Sequence, residues 1–110
     1  MKFERPWGNY EILLEEENYV VKRIEVNSYQ KFSLQYHDER DEYWTIVGGF
    51  GKIVVDGSEY NTDSKTSFYI PKKSIHRASA GQDGLTFIEV QIGNCSEEDI
   101  VRLQDDYGRV

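Results

Sequence analysis

The chain contains two histidines, and one of them, His37, falls in the polar run Gln35-Tyr36-His37-Asp38-Glu39-Arg40-Asp41-Glu42. On a β-strand, residues two apart point to the same face. Gln35 and His37 therefore project together, Leu34 and Tyr36 project the other way, and Glu42 opens a following strand with Trp44 and Ile46 on its face. Nitrogen and oxygen donors from two neighbouring strands then meet at one point. A mixed set of this kind, with positions left open, suits Zn, Mn, Fe, Co or Ni. Taken alone, the same octapeptide reads equally well as a solvated acidic loop that happens to carry a histidine.

Positioning such donors requires strands, and the sequence supplies them. Between Tyr10 and Gln91 short β-type segments alternate with turn residues, a pattern that predicts an all-β sandwich or barrel. The expected strands are Tyr10–Leu14, Tyr19–Val26, Phe32–His37, Tyr43–Val47, Lys52–Val55, Ser58–Tyr60, Ser67–Ile70, His76–Ser79 and Leu85–Ile92. Asp56-Gly57 predicts a tight hairpin, and Gly48, Gly49 and Gly51 a further bend. Ser96 followed by Glu97, Glu98 and Asp99 has the form of a helix N-cap with an acidic first turn, with Ile100, Val101 and Leu103 as an apolar stripe, so a short C-terminal helix is expected over the barrel end. With 110 residues, no repeat and no low-complexity linker, residues 1–110 are expected to form one domain.

Composition narrows the partners. Thirteen Lys and Arg against twenty Asp and Glu give a net charge of −7, which repels a nucleic-acid backbone, so no nucleic-acid binding is expected. No stretch reaches transmembrane length, so no membrane association is expected. The single Cys95 has no intramolecular disulfide partner and the N-terminus has no apolar leader core, which favours a cytoplasmic setting. Trp7 and Trp44 are expected to be buried.

A longer frame adds to the octapeptide: Gln35-x-His37, four residues to Glu42, six more to Gly49, and later Pro71 with four residues to His76. This frame resembles the two cupin motifs, with Gln at the first His position. The flanks sharpen the likeness. Arg5-Pro6-Trp7-Gly8-Asn9-Tyr10-Glu11, Val21-Lys22-Arg23-Ile24, Ser33 to His37, Tyr69-Ile70-Pro71, His76-Arg77, Glu89-Val90-Gln91 and Asp99 to Arg102 through Tyr107-Gly108-Arg109 resemble, in order, the C-terminal cupin domain of type II phosphomannose isomerases. Three positions depart from the family pattern: Tyr29 and Lys73 stand where the family has Gly, and Ala80 where it has Asn. The two lost glycines predict local strain or altered turns.

The resemblance implies a cupin, that is, a double-stranded β-helix of jelly-roll form, holding one divalent ion (Zn first, with Mn, Co, Ni or Fe as alternatives) on Gln35, His37, Glu42 and His76. It implies a metal-dependent aldose–ketose isomerisation of a small-molecule sugar phosphate, mannose 6-phosphate to fructose 6-phosphate. Removing a proton beside a carbonyl needs a base and stabilisation of the enediol charge. Lys22, Glu89 and Arg40 are the expected catalytic residues, and Arg77 and Gln91 the expected substrate-binding residues. Lys72 and Lys73 read as turn lysines, and Glu39 as solvent-facing. A homodimer is expected, because the resemblance favours it and an open sheet edge favours pairing. Two alternatives accompany this reading: a non-catalytic metal- and sugar-binding cupin, and a metal-cupin enzyme acting on another substrate.

Overall fold

Alternation of buried and exposed side chains, period two, runs through the longest strands of the computed structural model, which describes residues 1–110. In order these are β1 Lys2–Arg5, β2 Gly8–Glu15, β3 Tyr19–Val26, β4 Leu34–Tyr36, β5 Arg40–Val55, β6 Ser58–Thr62, β7 Ser67–Ile70, β8 His76–Gly93 and β9 Val101–Gln104. Inward residues are apolar or site-forming: Val20, Lys22, Ile24 and Val26 on β3, Arg40, Glu42, Trp44 and Ile46 on β5, and Phe87, Glu89 and Gln91 on β8.

β5 and β8 form one long antiparallel pair, and each half of the pair recruits a different set of neighbours. The half that joins Arg40–Gly49 to Leu85–Gly93 continues through β3, β2 and β1 on one side and β7 on the other. The half that joins Gly51–Val55 to His76–Ala80 continues through β6 on one side and through β4 and β9 on the other. The two halves curl over each other around a core containing Trp44, Phe87, Phe32, Ile46 and Ile53. Trp44 stacks on Phe87 with centroids 4.5 Å apart, and Phe32 meets Trp44 edge-on. This is the all-β, double-stranded architecture expected from the sequence. No helix is long and apolar enough to cross a membrane.

The bend between the halves depends on glycine. β5 shifts register between Ile46 and Gly48 and again between Gly49 and Gly51, so the expected glycine bend falls inside one continuous strand. A Cβ on Gly51 would lie 2.0 Å from the Ser79 carbonyl oxygen, because the two backbones approach directly there. The Asp56-Gly57 hairpin is present, with φ of 48° and 85°. Tyr29 and Lys73 adopt φ of 57° and 70°. Both hold the left-handed turn that glycine would take more easily, at a cost of about 1–2 kcal/mol each.

Several expectations are corrected. The strand pattern was expected to begin at Tyr10, but Lys2–Arg5 pairs along Gly8–Glu11. Phe32–His37 shortens to Leu34–Tyr36, and His76–Ser79 and Leu85–Ile92 are parts of one strand, His76–Gly93. The expected C-terminal helix is absent: Ser96 starts a turn, and Val101–Gln104 is a strand paired with β4. Ser96 does cap, since its hydroxyl accepts from the Glu98 N–H at 3.2 Å. Asp99 then ends the turn by accepting the Asp38 and Glu39 N–H groups at 3.0 and 2.9 Å. The open edge of β4 takes the residues that follow, and strand pairing overrides the local helical signal.

Candidate metal centre and cavity

Register builds the site row by row. Lys22 of β3 lies opposite Glu89 of β8, which lies opposite Trp44 of β5, and in the next row Gln91 lies opposite Glu42. On the other sheet, Gln35 of β4 lies between His76 of β8 and Arg102 of β9. His37 follows β4 and joins the cluster from the loop. The ligand atoms available on His37, Glu42 and His76 all lie within 4.8 Å of one another, and all three residues are buried. His37 Nε2 is 3.4 Å from Glu42 Oε2, and His76 Nε2 is 3.8 Å from Glu42 Oε1.

Both imidazoles are oriented from behind. His37 Nδ1 donates to the Asp99 carbonyl at 2.6 Å, and His76 Nδ1 donates to the Ser74 carbonyl at 2.9 Å. Each Nε2 is therefore the lone-pair nitrogen, and each faces the cluster, the arrangement that a metal ligand needs. Burial, then the positive charge of Arg40, holds the His37 pKa down at about 4, and burial also lowers that of His76. Neutral imidazoles result. His76 Nε2 has no hydrogen-bond partner although it is buried, which leaves a strong acceptor unsatisfied beside a carboxylate. The donor set thus fits a divalent ion on His37, Glu42 and His76. Gln35 turns its amide nitrogen toward His37 Nε2 at 3.3 Å while its oxygen accepts from Ser33 at 2.5 Å. A half-turn of that amide would bring its oxygen to the cluster.

Arg40 supplies the cation already present there. Its Nε donates to Glu42 Oε2 at 2.8 Å, its Nη2 reaches His37 Nε2 at 3.2 Å, and its Nη1 donates to the Ser96 carbonyl at 3.1 Å. Glu89 is the second buried carboxylate. Trp44 Nε1 divides its hydrogen between Glu42 Oε1 and Glu89 Oε2, both at 3.0 Å, and Gln91 donates to the other Glu89 oxygen at 2.6 Å. Burial, then the charge of Glu42, raises the Glu89 pKa to about 7. Trp44 was expected only in the core, yet it bridges the two carboxylates; its place two residues after Glu42 on the same strand face was the available signal.

A cavity opens onto this cluster. Its wall includes Lys22, Gln35, His37, Arg40, Glu42, Glu89 and Gln91. Arg77 is placed elsewhere, donating to the carbonyls of Phe32 at 2.8 Å and Gln104 at 3.2 Å. Lys72 and Lys73 occupy an exposed turn and Glu39 is exposed. Arg5, Arg102 and Arg109 also line the wall, and the sequence reading had not assigned them to the site.

The model of the family described as mannose-6-phosphate isomerase C-terminal matches residues 1–105. A mannose-1-phosphate guanylyltransferase of Escherichia coli is 40% identical over 108 residues, covering 96% of this chain and 23% of that protein. The alginate biosynthesis protein AlgA of Pseudomonas aeruginosa is 40% identical over 107 residues, covering 96% and 22%. The chain thus spans less than a quarter of the length of these relatives. Among solved structures, KdgF from Halomonas sp. superposes with a TM-score of 0.77 at 14% identity, covering 86% of each chain. An RmlC-like cupin from Shewanella frigidimarina gives 0.74 at 16%, covering 82% of this chain and 79% of that one. These two structures share the cupin fold with this chain. The comparisons correct the activity expected from the sequence: the Escherichia coli relative is a mannose-1-phosphate guanylyltransferase, and the matching family model describes a C-terminal segment, so the isomerisation of mannose 6-phosphate to fructose 6-phosphate does not stand as the function.

Proposed function

The chain belongs to the mannose-6-phosphate isomerase C-terminal family, and from that premise we propose that it is a divalent-metal-binding cupin whose cavity holds a mannose-derived ligand. The carrying observation is the buried cluster of His37, Glu42 and His76, with both imidazole lone pairs turned inward and His76 Nε2 unsatisfied. Leaving ionisable groups buried and incompletely paired opposes folding, which argues that they are kept for binding. A bound Zn, Mn, Co, Ni or Fe ion would polarise ligand oxygens. Around it, Gln91 and Trp44 orient Glu89, a buried carboxyl placed to exchange a proton with a ligand hydroxyl. Trp44 keeps Glu42 and Glu89 at a fixed spacing.

The test is titration of chelator-treated protein with Co(II), followed by absorption spectroscopy and calorimetry, on wild type, His37→Ala and His76→Ala. One equivalent bound with ligand-field bands, lost in both variants, supports the reading. No saturable binding in folded wild type overturns it. A second reading comes from Arg40, whose guanidinium already neutralises Glu42 and reaches His37: a cupin with an internal arginine cation and no metal. That reading predicts binding of a mannose-derived ligand that is unchanged by chelator.

A further inference from the structure

Of the ligand atoms that the cluster offers, only one is free. Glu42 Oε2 accepts from Arg40 Nε at 2.8 Å, and Glu42 Oε1 accepts from Trp44 Nε1 at 3.0 Å. The His37 Nε2 lone pair faces Arg40 Nη2 at 3.2 Å and the Gln35 amide nitrogen at 3.3 Å. His76 Nε2 alone has no partner. An imidazole nitrogen has a single lone pair, which serves a hydrogen-bond donor or a metal ion but not both. His37 therefore cannot ligate while Arg40 holds it.

Several features fix Arg40 in that place. Its guanidinium keeps its proton at any pH the fold meets, so deprotonation does not release the contact. The side chain is buried, with 5% exposed. Its third nitrogen, Nη1, donates to the Ser96 carbonyl at 3.1 Å, which holds the planar fork against Glu42 and His37. Arg40 and Glu42 are also two apart on β5 and so project from one face. Other cations of the cavity wall do not intrude in this way. Lys22 pairs with Glu97, and Arg109 pairs with Asp105 at 2.7 Å; neither bonds a ligand atom of the cluster.

A divalent ion brought to His37, Glu42 and His76 meets a unit positive charge already seated on two of the acceptors it needs. Shielded from water, that repulsion is strong. We infer that Arg40 is an internal counter-cation that exchanges with the metal: in one state Arg40 bonds Glu42 and His37, and in the other the ion takes both and Arg40 has left them. Arg40 thereby sets the affinity of the site for divalent ions. The inference rests on the reading of His37, Glu42 and His76 as metal ligands. It makes the arginine-neutralised cupin and the metal-bound cupin two states of one site, and it keeps a cation beside buried Glu42 in either state.

The experiment has two arms. In the first, Co(II) affinity is measured by competition with a chromophoric chelator on wild type, Arg40→Gln and Lys22→Gln. Arg40→Gln removes the competitor and should bind Co(II) about tenfold or more tighter, since charge-assisted hydrogen bonds no longer have to break. Lys22→Gln removes a cavity cation that bonds no ligand atom and should change the affinity far less. In the second arm, isotope-labelled wild type is titrated with Zn(II) and followed by NMR at the assigned Arg40 Nε–H. That resonance should shift by one equivalent, and its exchange with water should quicken. Equal or weaker Co(II) binding by folded Arg40→Gln overturns the inference, as does equal tightening in Lys22→Gln, which would reduce the effect to charge alone. An Nε–H signal unmoved at saturation also overturns it. Each of these results leaves the metal reading standing. If Arg40→Gln does not fold, the wild-type NMR arm decides. Saturable binding by Arg40→Gln but not by wild type supports the competition and removes the metal from the wild-type chain, whereas no binding by any of the folded proteins overturns both.

Discussion

Replacing Glu89 by Gln in chelator-treated protein changes one charge in the middle of the cavity and little else. The carboxylate has an ordinary pKa of 4.5 and a folded pKa of about 7. Between these values the folded chain carries a proton on Glu89 that the unfolded chain has released. Stability therefore falls as pH rises through that window, by about 1.4 kcal/mol per pH unit, and the loss is complete above pH 7. The accumulated cost is on the order of 3 kcal/mol. Glu89→Gln never ionises and avoids it. The amide can also keep the local hydrogen bonds. Its oxygen accepts from Trp44, and its nitrogen donates to Gln91 once that side chain turns over its own buried, unpartnered Oε1. The variant should match wild type near pH 4.5 and exceed it by about 2–3 kcal/mol at pH 8, read from urea unfolding curves at a series of pH values. His37, with its lowered pKa, acts oppositely between about 4 and 6.5, but it is common to both proteins and cancels in the difference. A stability difference that is flat across pH 4.5–8, or that favours wild type at pH 8, would refute the reasoning.

Other substitutions probe the supports. Asp99→Ala removes the acceptor for the Asp38 and Glu39 N–H groups and loosens the carbonyl that orients His37; it should cost about 1–2 kcal/mol and weaken metal binding about tenfold, measured by competition with a chromophoric chelator. Gly51→Ala forces a methyl group onto the Ser79 carbonyl and should destabilise by about 3 kcal/mol in denaturant unfolding. Lys73→Gly relieves a left-handed turn and should raise stability by about 0.5–1 kcal/mol, the strain relieved being partly offset by the greater freedom of glycine in the unfolded chain; an unchanged or lower urea midpoint would mean that the turn carries no strain.

Much of this architecture can be read from the residues because period two is a local property. Tyr19–Val26 and Ser67–Ile70 have the bounds their alternation predicts, whereas the expected strand Phe32–His37 shortens to Leu34–Tyr36 and His37 reaches the cluster from the loop that follows. Register is not local. Nothing near Arg102 says that it lies opposite Gln35, and nothing near Arg5 says that its side chain joins the same cavity, so the basic wall emerges only when both chain ends fold back onto the barrel. Ser96 to Asp99 carries a true capping signal, yet the helix it announces loses to an unpaired strand edge. Conversely, Gly48, Gly49 and Gly51 mark a bend correctly but do not reveal that the strand continues through it, since a bulge and a turn use the same residue for different backbone reasons.

The hydrogen bond from His37 to Asp99 also sets a schedule. Its two residues are 62 apart in the chain, and the cluster it orients draws on β8 as well as on the segment around Glu42. Non-local pairing of this kind closes late and slowly, in the millisecond-to-second range of β topologies. The donors therefore come into position only after the segment from His37 to Asp99 has closed. A metal ion would lock that closure, and its capture during refolding would time it.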